Sequence, residues 1–123
     1  MSDAKEYVVQ PVDKGTVNIS EEVVAAIAAL AISEVDGVFG LSSSFTADLK
    51  EMLGKKNMSK GVKLTMEEDT VSVECFVVVT YGFEIPTVAA NIQEAVATAV
   101  ESMAGLKVSA VNVDICGISA AKN

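Results

Sequence analysis

The chain has no histidine, no arginine and no tryptophan, and all 9 of its cationic side chains are lysine. Without histidine it lacks the usual acid–base group near neutral pH and a common metal ligand. Without arginine it lacks the planar fork that grips phosphate and guanine at two points. Acidic side chains number 17, so the net charge is −8 and the mean field repels polyanions. Cysteine is scarce as well. Cys75 and Cys116 cannot make a secreted disulfide framework in 123 residues. No Cys-x-x-Cys spacing joins them and no basic neighbour would lower a thiol pKa, so they read as two reduced thiols. Long apolar runs are also missing. The longest, Val23 to Ile32, falls well short of the roughly 20 residues a bilayer needs. Met1 to Gln10 is mixed and polar, without the apolar stretch of a secretory signal. These features predict a cytoplasmic chain with no transmembrane segment of its own.

What is present suits a folded domain. Half the residues are apolar, too many for a disordered chain, and 123 residues fit one domain. Residues 1–15 read as a loose lead-in, 16–118 as a single domain and 119–123 as a short tail. Thr16 to Ile19 is a short strand candidate. Ser20 offers an N-cap to a helix from Glu21 to Val35, with Glu21 and Glu22 where the helix dipole favours acid. Its inner face is expected at Val23, Ile27, Leu30 and Ala31, and Asp36-Gly37 ends it. Ala47 to Leu53 is a candidate short helix, followed by a basic loop from Lys55 to Lys60. Val62, Leu64 and Met66 alternate with polar residues, Glu67-Glu68-Asp69 makes a hairpin turn, and Val71 to Thr80 is a second strand. Pro86 opens a second helix reaching Met103, with Val88, Ile92, Ala95, Ala99 and Met103 near one stripe and Gly105 at its end. Val108 to Cys116 is the last strand. The order β-α-(short α)-β-β-α-β predicts an α+β fold, a two-layer α/β sandwich with helices on one face of a mixed sheet.

Four features bear on function. Lys50, Lys55, Lys56, Lys60 and Lys63 are opposed only by Glu51, a window of +4 that leaves −12 on the rest. It reads either as a docking patch for an acidic partner or anionic lipid headgroups, or as a solvated loop. Gly37-Val38-Phe39-Gly40 has the spacing of the KH-domain nucleic-acid clamp. Its apolar middle and the preceding Glu34 and Asp36 favour a helix cap and turn, with Val38 and Phe39 packed inward. Phe76 and Val78 put apolar side chains on a strand face expected to be wet, which predicts either a partner surface or a cover from Tyr7 to Val9. For catalysis there is no nucleophile elbow, P-loop or dinucleotide fingerprint. Glu67-Glu68-Asp69, the densest carboxylate set, reads as a solubilising turn. No catalytic, cofactor or metal residue is expected.

Several stretches then carry a resemblance. They are Val17-Asn18-Ile19-Ser20-Glu21-Glu22-Val23, Glu34-Val35-Asp36-Gly37-Val38 and Lys60-Gly61-Val62. Val77 to Pro86 follows, running into Asn91-Ile92-Gln93-Glu94-Ala95-Val96, and then Met103 to Val108 leading to Val111-Asn112-Val113-Asp114-Ile115. Over residues 15 to 118 the chain resembles the alkaline shock protein family of Gram-positive bacteria. The Tyr-Gly-x-x-Ile-Pro step at Tyr81 and the glutamine Gln93 are the most specific parts. The resemblance implies a non-enzymatic protein of the cell-envelope stress response, held at the inner membrane face by a membrane-anchored partner and capable of self-association. Others of the family are linked to lipid metabolism, which implies an alternative role as regulatory partner of a lipid-metabolism enzyme. Phe76 and Val78, with Lys55, Lys56 and Lys60, are the expected contact residues.

Overall fold

The structure, a computed structural model, describes residues 7–42, 58–59 and 61–120. Its elements are β1 (Tyr7–Val12), β2 (Gly15–Ser20), α1 (Glu21–Ser33), β3 (Val38–Leu41), β4 (Met58–Ser59), β5 (Val62–Glu67), β6 (Thr70–Thr80), α2 (Ile85–Ala104) and β7 (Lys107–Ser119). The expected short helix at 47–53 and Lys55, Lys56 and Lys60 lie outside the described residues, and Met58–Ser59, within the expected basic loop, form β4 instead.

β6 is the axis of the main sheet. Along one side Val71, Val73, Cys75, Val77 and Val79 are fully buried, as a β-branched strand under two helices should be. β7 runs parallel to one edge of β6, and α2 supplies the crossover that a parallel pair requires. The opposite edge is shared by two antiparallel strands, β5 along Thr70 to Cys75 and β3 along Val77 to Val79. The handover falls at Phe76. Its amide donates to the Gly61 carbonyl at 2.9 Å, and its carbonyl accepts from the Ser42 amide at 2.8 Å. β4 extends the sheet beyond β5. α1 and α2 pack on each other and on the valine side of β6, giving the expected sandwich of two helices on a mixed sheet.

The local signals explain the element ends. The Ser20 side chain caps α1 by accepting from the Val23 amide at 3.2 Å, a contact typically worth about 1 kcal/mol. Gly105 ends α2 in the left-handed conformation, φ 73°. β5 and β6 are joined by a two-residue turn, Glu68–Asp69, between the paired Glu67 and Thr70.

Three expectations are corrected. First, residues 7–12 are not loose: β1 pairs with β2 in a hairpin. Tyr7, Val8 and Val9 favour a strand, and Pro11 is tolerated because β1 has a neighbour on one side only. Val8 at the base of this hairpin joins the core, and the Gln10 amide donates to the Ala104 carbonyl at 2.8 Å. The hairpin thus closes the C-terminal end of α2. Second, α1 is rotated from its expected face, and α2 buries Val88 and Ile92 as expected but departs from the expected stripe beyond them. α1 buries Val24, Ala25, Ala28 and Ile32, leaving Val23 and Leu30 exposed. α2 buries the straight i, i+4 row Val88, Ile92, Val96, Val100 and Ala104, leaving Met103 exposed. Third, the turn expected at Gly37 is present, closed by the Val38 amide donating to the Val35 carbonyl at 3.2 Å, but Phe39 does not pack inward. The segment runs into β3, with a bulge between Val38 and Gly40 that turns Phe39 outward to 53 % exposure.

Candidate functional site

The side of the sheet away from the helices is built in rows by the strand register. Lys63, Glu74 and Asn112 form one row, and Phe76 and Asp114 a second. In a third row Val78 stands between Gly40 and Gly117, so no neighbouring strand covers it with a side chain. Val78 is half-buried. Phe76 is only 5 % exposed although it is not part of the helix-covered core. Tyr7 to Val9 do not cover it, since their hairpin sits at the C-terminal end of α2. Of the five expected contact residues the structure therefore places Phe76 and Val78 side by side on one face, with only Val78 accessible. Lys55, Lys56 and Lys60 lie outside the described residues.

This face carries an acid pair. The Glu74 carboxyl is held above its ordinary range, first by a hydrogen bond with Asp114, then by burial and by the Asp114 charge, with Lys63 opposing. Asp114 Oδ2 is buried and no described group donates to it. Burial and the same two carboxylates push the Cys75 thiol up to about 12. Cys116, exposed beside a bulge in β7, is also raised, by burial and then by Asp114, with Ser42 opposing. Neither cysteine has the cationic setting of a reactive thiolate. Among the described residues no three histidine, cysteine or acidic side chains are grouped to hold a metal ion.

Sequence reasoning missed a second surface. At the end of the sheet where β6 gives way to α2, five large apolar side chains are exposed. They are Phe39, Tyr81, Phe83, Ile85 and Ile118, with exposures of 53, 74, 48, 37 and 50 %. Backbone bonds hold them together. The Thr80 amide donates to the Gly37 carbonyl at 2.8 Å, and the Tyr81 amide to the Ser119 carbonyl at 2.7 Å. Tyr81-Gly82-Phe83 reads locally as a strand breaker, which it is. The overlooked signal was three large apolar residues in five positions around a glycine and ahead of a proline, where a plain turn would be polar. Glu34 and Asp36 lie in the turn leading to Gly37, and Glu84 lies between Phe83 and Ile85. Between α1 and α2 lies a groove lined by Ala31, Val35, Ala95 and Ala99, with Glu34 and Glu94 on its banks.

Gln93 also acquires a role. From α2 its side-chain amide donates to the Val111 carbonyl at 3.0 Å, while the Glu101 carboxylate accepts from the Val108 amide at 3.1 Å. Two helix side chains thus occupy backbone groups of β7, a strand that among the described residues has a sheet neighbour on one side only.

The structure is thus an α/β sandwich with a clasped edge strand, an acid pair on the sheet face away from the helices and an exposed apolar end. The chain belongs to the alkaline shock protein 23 family, described as having a cell envelope-related function, whose model matches residues 9–120. It is 39 % identical to YqhY of Bacillus subtilis (strain 168) over 104 residues, 85 % of this chain and 77 % of that one. It is 34 % identical to YloU of the same organism, over 85 % of this chain and 88 % of that one. A stress response regulator gls24 homolog of Streptococcus pyogenes serotype M3 is 30 % identical, over 85 % of this chain and 59 % of its own length. Among solved structures, the MamM CTD variant H264E aligns with a TM-score of 0.48 and 17 % identity over 82 % of this chain and 95 % of that one. No described helix is long and apolar enough to cross a membrane.

Proposed function

We propose that this protein is a non-enzymatic interaction module of the cell-envelope stress response, working in the cytoplasm and brought to the inner membrane face by a membrane-anchored partner. One observation carries the reading. A domain of this size leaves five large apolar side chains exposed together at one end, and clustered exposed apolar groups mark contact sites rather than solvent-facing surface. Membership of a family with a cell envelope-related function supports the location. No described helix is able to cross a bilayer, and a membrane-anchored partner is the route to the membrane in this reading.

The lysine-rich segment with Lys55, Lys56 and Lys60 is a second, salt-sensitive contact, and Val78 with its neighbour Phe76 a third. Self-association, through the lysine-rich segment or the face with Val78 rather than the apolar end, belongs to the same reading. A KH-like nucleic-acid binder is the less favoured alternative: the net charge of −8 opposes it, and Val38 to Gly40 belong to β3.

The test is fractionation of the tagged protein from its own cells, with crosslinked partners identified separately in membrane and soluble fractions. Recovery with a membrane-anchored protein is expected. Reversal of Lys55, Lys56 and Lys60 to glutamate should weaken that recovery and flatten its salt dependence. Recovery solely with a soluble lipid-metabolism enzyme would replace the scaffold reading with the regulatory one.

A further inference from the structure

We infer that the exposed end formed by Phe39, Tyr81, Phe83, Ile85 and Ile118 is a docking surface for a lysine- and arginine-rich amphipathic segment of a membrane protein, the kind that flanks a membrane anchor on its cytoplasmic side. This rests on the reading above and names the chemistry of the partner.

The apolar part of the argument is exposure. Tyr81 stands 74 % exposed on a turn whose backbone is fixed at both flanks by bonds to Gly37 and Ser119. A rigidly mounted tyrosine beside phenylalanine and isoleucine has the make-up of an interface hot spot. Phe83 is anchored against Gly37, so the turn is held ready and little ordering entropy is lost on binding.

The electrostatic part selects the occupant. Glu34 and Asp36 follow the C-terminus of α1, whose last turn has no basic residue, so two carboxylates add to the negative end of the helix dipole. Glu84 precedes α2, between Phe83 and Ile85 in the chain. The described lysines lie elsewhere. Lys14 is in the hairpin turn, Lys107 pairs with Thr70 at the far end of the sheet, and Lys63 pairs with Glu74 midway along it. An apolar centre with an acidic rim repels a nucleic acid and an anionic lipid surface alike. It also disfavours a second copy of this chain, because a two-fold contact would set each acidic rim against its own image. A cationic amphipathic segment satisfies both halves of the surface. Segments rich in lysine and arginine are what the cytoplasmic flanks of membrane spans carry.

Two experiments test this. In the first, the isotope-labelled full chain is titrated with a synthetic amphipathic peptide bearing leucine on one face and lysine on the other. Amide shifts should concentrate at Phe39, Tyr81 to Ile85 and Ile118. Tyr81→Ser combined with Ile118→Ser should weaken binding by about tenfold or more while the remaining spectrum shows an intact fold. Glu34→Lys with Asp36→Lys and Glu84→Lys should abolish its salt dependence. Shifts confined to other surfaces, or equal binding of a matched peptide with glutamate for lysine, would overturn the inference. In the second, a photo-crosslinker replaces Tyr81 in the cell. The expected product joins this chain to a membrane protein at a lysine- or arginine-rich stretch beside its span. A product with a second copy of this chain, or with an acidic segment, would overturn it. Should the unmodified protein not reach the membrane at all, the reading above falls, and the peptide titration alone decides whether this end selects cationic amphipathic segments.

Discussion

The ring of Phe83 occupies the space that a side chain at Gly37 would need: a Cβ there would lie 2.8 Å from Phe83 Cδ2 and 2.7 Å from Val88 Cγ2. Gly37 also holds φ at 95°, a conformation that L side chains rarely adopt. Gly37→Ala therefore combines a backbone penalty with a clash, and should destabilise the domain by about 2 kcal/mol or more. A thermal melt should register that as a fall of roughly 8 °C or more for a domain of this size. An unchanged midpoint would mean that Phe83 is free to move away, and that the apolar end is not rigidly mounted.

The acid pair gives a pH dependence with a definite sign. Hydrogen bonding to Asp114 raises the Glu74 pKa in the folded protein above the ordinary value of 4.5. A group whose folded pKa is raised stabilises the fold at low pH, and that stability is lost as pH rises through the folded value. Glu74→Gln keeps a donor toward Asp114 and removes the charge. Above that window the variant should be at least as stable as the parent, and the difference should shrink as pH falls toward 4.5. Urea unfolding of both proteins across this range measures it. Parallel curves would show that Glu74 and Asp114 do not share a proton.

The two cysteines should separate cleanly under a thiol reagent. Cys75 is buried, with its pKa pushed up to about 12, so it should react only when the protein unfolds. Cys116 is exposed and should react in the native state, more slowly than a free thiol because its pKa is raised. Asp114→Asn removes the charge that helps raise both, and should quicken Cys116 near neutral pH. Mass spectrometry of timed labelling distinguishes the sites, and early labelling of Cys75 would contradict the packing of β6.

The helix faces show what a sequence conceals. Alternation in β5 and β6 was legible because polar residues mark one side: Val71, Val73 and Val79 are inward as read. The caps at Ser20 and Gly105 and the Glu68–Asp69 turn were legible because few residue types suit them. Between Val23 and Ile32, α1 is apolar all round, so periodicity carries no phase. Packing then chose the side with Ala25 and Ala28, where the backbone can approach its neighbours closely. In α2 the i, i+4 row wins over the slower-drifting stripe that ends at Met103. Val96→Ala should accordingly cost about 2 kcal/mol, while Leu30→Ser and Met103→Ser should stay within about 0.5 kcal/mol. Denaturant midpoints for the three variants settle the buried faces of both helices. The apolar end at Tyr81 stayed hidden for another reason: strands and loops far apart in the chain, from Phe39 to Ile118, build it together.

The bonds from α2 to β7 predict how the sheet edge is kept from growing. Among the described residues β7 is the longest strand, running from Lys107 to Ser119, and it has a sheet neighbour on one side only. An edge of this length is a template for pairing with another chain. Gln93 occupies the Val111 carbonyl and Glu101 the Val108 amide, both from the helix that crosses over to β7. Each bond should add only about 1 kcal/mol to stability, yet together they fill two of the backbone positions that a docking strand would use. Gln93→Leu with Glu101→Leu should therefore lower the unfolding free energy modestly and raise concentration-dependent association much more. Light scattering at increasing protein concentration reads the association, and denaturant titration reads the stability. Loss of stability without association would assign the two side chains to anchoring α2 alone. Association in the variant, with a monomeric parent under the same conditions, would assign them to guarding the edge.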